Sequence, residues 1–143
     1  MKVLCLLGSP RTKGNSAWMA AQLLNRLKGK KGVKVKTYFL NKLKYKGCIA
    51  CYACKTKSEN CALKDDLTPV LNDVKECDVL IMSTPTYYGE VSSQLKAFID
   101  RTFSFLNPDY VTNPKKSRLD EGKKLVFIIA QGHPDEEFFK DVF

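Results

Sequence analysis

The 143-residue sequence contains no apolar run approaching the roughly 20 residues that a membrane-spanning helix needs. Its first apolar stretch, Val3 to Leu7, is short and leads into Gly8-Ser9-Pro10-Arg11 instead of a small-residue cleavage site. It therefore reads as a buried first strand of a cytoplasmic protein. Internal repeats and low-complexity tracts are missing. So is the triphosphate loop G-x-x-x-x-G-K-[ST], because Gly14 is followed by Asn15 and Ser16 with no lysine, and no G-x-G-x-x-G occurs. No nicotinamide-binding fingerprint is recognisable. Acidic residues are also in short supply, at 15 against 24 basic ones, for a net charge of +9.

That charge raises the question of nucleic acid. The lysines crowd two stretches, Lys28 to Lys46 and Lys115 to Lys124, but no aromatic-basic motif accompanies them. Val33-Lys34-Val35-Lys36 alternates apolar and cationic residues, as in an edge strand protected against pairing with other sheets. The lysines are expected to solubilise an edge or to receive an acidic redox partner. Nucleic acid and membrane partners are not expected.

What is present is an ordinary globular composition, 44% hydrophobic and 27% charged, sized for one domain over residues 1–143. Strand and helix patterns alternate, which predicts an α/β fold: a doubly wound parallel sheet with helices on both faces. The expected strands are Lys2 to Leu7, Val33 to Leu40, Val79 to Ser83 and Leu125 to Ala130. Helices are expected at about Asn15 to Leu27, Asp66 to Lys75 and Ser92 to Phe103. In the first helix, Met19, Ala20, Leu23, Leu24 and Leu27 are read as one apolar stripe. A cysteine-rich insertion occupies about 47–64, and Pro134 to Glu137 reads as the first turn of a last helix with Phe138, Phe139, Val142 and Phe143 on its apolar face. A flavodoxin-like sheet has order 2-1-3-4-5, so this chain supplies 2-1-3-4 with the fifth strand and last helix absent. Leu125 to Ile129 would then be an apolar edge, covered by a second subunit or belonging to a longer protein, the second being favoured here.

Three loops should open at the carboxyl edge of such a sheet, where open α/β sheets bind ligands. In the first, Gly8 to Ser16, Gly8 and Gly14 permit sharp turns and close approach. Ser9, Asn15 and Ser16 offer short polar groups, Arg11 a fork of donors and Lys13 a further cation, beside a helix N-terminus that favours anions. This suits a phosphate monoester, although a helix cap by Asn15 or Ser16 would explain part of the pattern. The second loop carries Pro85, Thr86, Tyr87, Tyr88 and Gly89, a stiffened turn with two rings able to pack on a planar ligand. The third, with Gln131 and Gly132, could meet that ligand from the other side.

Cys48, Cys51, Cys54 and Cys61 form C-x₂-C-x₂-C-x₆-C, a run that can wrap around a cubane iron–sulfur cluster. Zinc is less natural, since its usual sites pair two separate C-x₂-C knuckles and Cys51 would serve in both. Redox-active or vestigial thiols remain an alternative. Lys46, Lys55 and Lys57 would offset a cluster's charge, while Cys5 and Cys77 read as small buried hydrophobes.

Gly8-Ser9-Pro10-Arg11 with Gly14-Asn15-Ser16, then Pro85 to Gly89, then Leu95-Lys96-Ala97-Phe98-Ile99-Asp100-Arg101 resembles the NADPH-dependent FMN reductase superfamily, in its iron–sulfur flavoprotein branch. The resemblance implies a flavodoxin-like FMN domain in which Ser9, Arg11, Asn15 and Ser16 hold the phosphate and Pro85 to Gly89 line the ring. It also implies a flavin-dependent oxidoreductase, with Cys48, Cys51, Cys54 and Cys61 holding a [4Fe–4S] cluster that relays electrons from a ferredoxin-like donor. A cluster-free reductase drawing on NAD(P)H and a non-enzymatic electron carrier are the alternatives. A homo-oligomer is expected. No side chain is assigned a catalytic acid–base role.

Overall fold

The computed structural model describes residues 1–135, 137 and 138. In chain order it runs β1 (Lys2–Leu7), α1 (Asn15–Lys28), β2 (Lys34–Phe39), α2 (Ala53–Thr56), α3 (Leu67–Glu76), β3 (Val79–Tyr87), β4 (Glu90–Val91), α4 (Ser93–Arg101) and β5 (Lys124–Ala130). Short 3₁₀ turns follow β2 at Leu40–Lys42 and α4 at Thr102–Phe105.

Four strands are parallel in the order β2-β1-β3-β5, which is the expected 2-1-3-4. The fifth strand of the sheet is β4, a two-residue piece antiparallel to the end of β3. Strand β1 is buried from Val3 to Leu7 because helices cover both of its faces. On one face Leu4, Leu6, Val70, Leu71, Met82, Leu95 and Phe98 close the core. On the other, Val3, Cys5, Leu7 and Ile81 meet Ala20 and Leu24 of α1. Cys5 and Cys77 are buried, as expected.

Three expectations change. Met19 is 43% exposed, so the buried stripe of α1 is Ser16, Ala17, Ala20 and Leu24. At 100° per residue Met19 is turned away from Ala20, and the small residues let the helix lie close on the sheet. Strand β3 runs four residues past Ser83, because β5 pairs with it as far as Pro85 and β4 pairs with Thr86 and Tyr87. The cysteine-rich insertion contains the single turn of α2. At β5, Leu125 and Phe127 are 59% and 37% exposed, so this edge is apolar as expected. The helix expected after Pro134 falls largely on residues outside those described.

Candidate flavin and cysteine sites

The strand register fixes where the three loops emerge. Leu7 pairs with Ser83, and Pro85 pairs with Ala130. Gly8 and Gln131 therefore leave the sheet at one edge, where β3 runs on through Thr86 into its pairing with β4. The first loop is tied to its neighbours: Gly8 N–H donates to the Ser83 carbonyl at 2.7 Å, the Ser92 hydroxyl to the Gly8 carbonyl at 2.7 Å, and the Ser83 hydroxyl to the Ser16 carbonyl at 2.7 Å. Within the loop, Ser9 Oγ accepts from Arg11 N–H at 3.1 Å. Ser9 and Ser16 are buried, while Arg11, Lys13 and Asn15 are exposed.

The capping alternative does not hold. The N-cap of α1 is Gly14, with no side-chain cap, and the first turn carries no acidic residue. Asn15 and Ser16 sit inside the helix, so the first-turn N–H groups and the positive end of the helix dipole are left for an external acceptor.

The second loop is a tight hairpin in place of an open loop. Tyr88 and Gly89 have φ of 52° and 81°, and the flanking Tyr87–Glu90 pair closes a two-residue turn. This is the turn with both central residues left-handed, which matches the twist of the strands. Tyr88 stands fully exposed at its tip, and Tyr87 is half exposed. Thr86 Oγ1 is a buried side-chain polar atom with no hydrogen-bond partner. Buried hydroxyls are nearly always satisfied, so an orphan at this edge fits a site built for a polar ligand. Pro85 precedes it in β3 and pairs with Ala130. In the third loop, the Gln131 amide donates to the His133 carbonyl at 3.1 Å, and Gly132 is exposed.

The four clustered cysteines line one pocket together with Ile49, Leu63, Arg101 and Phe103. Cys48 and Cys51 are exposed, Cys61 half-buried and Cys54 buried. Ala50 and Tyr52, on either side of Cys51, both adopt left-handed backbone at φ 52° and 55°. Such conformations cost non-glycine residues energy and mark segments shaped for a purpose. Ala50 N–H points at Cys48 Sγ, 3.4 Å away. Among the described residues no three potential ligands converge on the shell of a single ion. A cubane does not require that, since each thiolate binds its own iron.

Cations surround this pocket. Arg101, 1% exposed, donates from Nε to Cys61 Sγ at 3.0 Å and from Nη1 to Asp65 at 2.8 Å and to the Lys46 carbonyl at 2.9 Å. Arg118 donates to the carbonyls of Cys54 and Ser104 at 2.9 and 2.8 Å. Lys55 Nζ donates to the Phe103 and Leu106 carbonyls at 2.5 and 2.7 Å, over the Phe103 ring. Burial, abetted by the charge of Arg118, pushes its ammonium below the ordinary value, against the opposing pull of Cys54. Burial works to raise the Asp65 carboxyl, but bonds from Arg101 and Lys46 N–H hold it below the usual range. Lys55 thus anchors its ammonium on two carbonyls, while Lys46 contributes its backbone and Lys57 is exposed. Arg101 and Arg118 had no signal of position in the sequence, although Arg101 ends one of the quoted motifs. Helix α4 spans between the two regions: Ser92 meets the Gly8 loop at one end and Arg101 meets the cysteines at the other. They are nine residues apart, roughly 14 Å along a helix.

An open parallel sheet in this strand order, with loops gathered at its carboxyl edge, defines the flavodoxin-like fold class. More narrowly, the chain belongs to the NADPH-dependent FMN reductase family, whose sequence profile matches residues 1–134. It is 35% identical over 102 residues to an iron–sulfur flavoprotein of Methanocaldococcus jannaschii, covering 71% of this chain and 52% of that protein. It is also 35% identical over 105 residues to an iron–sulfur flavoprotein of Archaeoglobus fulgidus, covering 73% and 47%. The fold matches that of an NAD(P)H:quinone oxidoreductase from Methanothermobacter marburgensis with a TM-score of 0.74 at 16% identity, over 99% of this chain and 70% of the other. The chain spans about half the length of the iron–sulfur flavoproteins it matches. Among the described residues no helix is long and apolar enough to cross a membrane.

Proposed function

We propose that this chain is the FMN-binding part of an electron-transfer oxidoreductase whose cysteine loop holds a [4Fe–4S] cluster. The observation that carries the flavin site is the shared edge: the uncapped N-terminus of α1 and the orphaned Thr86 hydroxyl emerge from adjacent strands. In this reading the first-turn N–H groups of α1, with Ser9, Arg11, Lys13, Gly14, Asn15 and Ser16, receive the phosphate. Pro85, Thr86, Tyr87, Tyr88 and Gly89 face the ring, and Gln131 with Gly132 flank it. FMN supplies one- and two-electron chemistry when bound, and the protein's part is to orient it and tune its potential.

Cys48, Cys51, Cys54 and Cys61 are the proposed cluster ligands. Their common pocket and the three cations around it suit a group that bears net negative charge. The names of the related flavoproteins support this reading. An acidic donor such as a ferredoxin, and a second copy of the chain, are the proposed partners. A cluster-free reductase that accepts hydride from NAD(P)H is the second reading, favoured by the fold shared with the quinone oxidoreductase.

The test is anaerobic purification followed by assay for FMN, iron and sulfide. The proposal expects one flavin per chain and about four irons and four sulfides. Stoichiometric FMN without iron after reconstitution, together with flavin bleaching by NADPH, would transfer support to the second reading. A protein that takes up neither would refute both.

A further inference from the structure

The four cysteines are not equivalent. Among the described residues, Cys61 is the one whose sulfur accepts a hydrogen bond from a fully buried cation, Arg101 Nε at 3.0 Å. The guanidinium has little freedom. Asp65 grips it through two nitrogens at 2.8 and 3.3 Å, and the Lys46 and Leu63 carbonyls take further bonds at 2.9 and 3.2 Å. Lys46 and Asp65 flank the cysteine insertion and Leu63 lies at its end, so Arg101 fastens the insertion to the end of α4. An arginine held only for that fastening would need its terminal nitrogens alone. Nε is left over, and it is spent on sulfur.

We infer that Arg101, held by Asp65, is a positioning residue that fixes Cys61 as a distinct cluster ligand and raises the potential of the cluster. The inference rests on the cluster reading above. The physical reason is that an N–H donor withdraws electron density from a ligating thiolate and stabilises the reduced, more negative state. Cys48 meets only a long contact from the Ala50 N–H, at 3.4 Å. Were a cluster held here, the Arg101 Nε donor would act on it through Cys61.

The experiment compares wild-type protein with Arg101→Lys and Asp65→Asn, each reconstituted anaerobically with iron and sulfide. Lysine keeps the charge but has no Nε donor, and asparagine keeps the shape while loosening the grip on the guanidinium. Redox titration followed by EPR should show a more negative cluster potential in R101K and a smaller shift the same way in D65N. Iron should leave R101K to a chelator about 10-fold faster, the usual consequence of losing a group that supports a metal ligand. In wild-type protein carrying ¹⁵N-arginine, pulsed EPR of the reduced cluster should detect a nitrogen coupling, which needs no folded variant. An unchanged potential in a loaded R101K, or no arginine coupling in wild type, overturns the inference while leaving the cluster in place. Wild-type protein that binds no iron overturns the cluster reading and this inference with it.

Discussion

The Ser92 hydroxyl donates to the Gly8 carbonyl at 2.7 Å across 84 residues of sequence. The same oxygen accepts from Leu95 N–H at 3.4 Å and so caps α4. One side chain thus starts the helix that leads to the cysteines and fixes the first residue of the Gly8 to Ser16 loop. A Cβ on Gly8 would stand 2.8 Å from Ser92 Oγ and 2.9 Å from Leu95 Cβ, closer than packed atoms allow. Gly8→Ala should cost about 1–3 kcal/mol of stability through overpacking, and Ser92→Ala about 1 kcal/mol through the lost cap. Both should weaken FMN binding. Urea denaturation paired with flavin titration checks this, and full stability in G8A would contradict the geometry.

Tyr88 holds a left-handed backbone at φ 52° with its ring fully exposed. Asparagine is the favoured residue before glycine in this turn. Tyr88→Asn should therefore raise stability by roughly 1 kcal/mol, the cost of forcing tyrosine into that region. If the ring is kept for the flavin, the same variant should bind FMN more weakly. Thermal melts of the apoprotein and flavin titration read the two effects separately. A variant gaining neither stability nor losing affinity would show that the tyrosine is incidental.

Tyr45 donates its hydroxyl to the Gln94 carbonyl at 2.5 Å, joining the chain ahead of the cysteines to α4. Burial, helped by the nearby charge of Asp65, pushes its phenol up to about 12. An unfolded tyrosine titrates near about 10. The folded value is the higher one, so the contribution is complete below about pH 10 and is lost as pH rises from there through about 12. Denaturant midpoints measured across that window should fall. Tyr45→Phe should lose about 1 kcal/mol at neutral pH and show a shallower alkaline decline. An identical decline in both proteins would assign the titration to another group.

The parallel sheet was legible because its strands are apolar runs of the right length, separated by helical periodicity. The position of the loop from Gly8 to Ser16 at the carboxyl edge of the sheet was legible from Gly8, Gly14 and the short polar residues between strand and helix. The hairpin at Tyr88 and Gly89 was not, because tyrosine is an unusual choice for a left-handed turn position and β4 is two residues long. Met19 misled because a stripe counted by apolar identity ignores that Ser16 and Ala17 let α1 approach the sheet. Arg101 and Arg118 were hidden for a different reason. Their partners in the cysteine segment lie 36 to 64 residues away in sequence, and an arginine that folding draws inward looks like any surface arginine until the chain has folded.

The account turns on the phosphate being held at the start of α1. Equilibrium titration of the apoprotein with FMN and with riboflavin, which lacks the phosphate, measures that directly. FMN should bind at one per chain and riboflavin at least about 10-fold more weakly, since charge-assisted bonds of roughly 1.5–3 kcal/mol are lost with the phosphate. Equal affinity for the two flavins, or no binding of either, would contradict it.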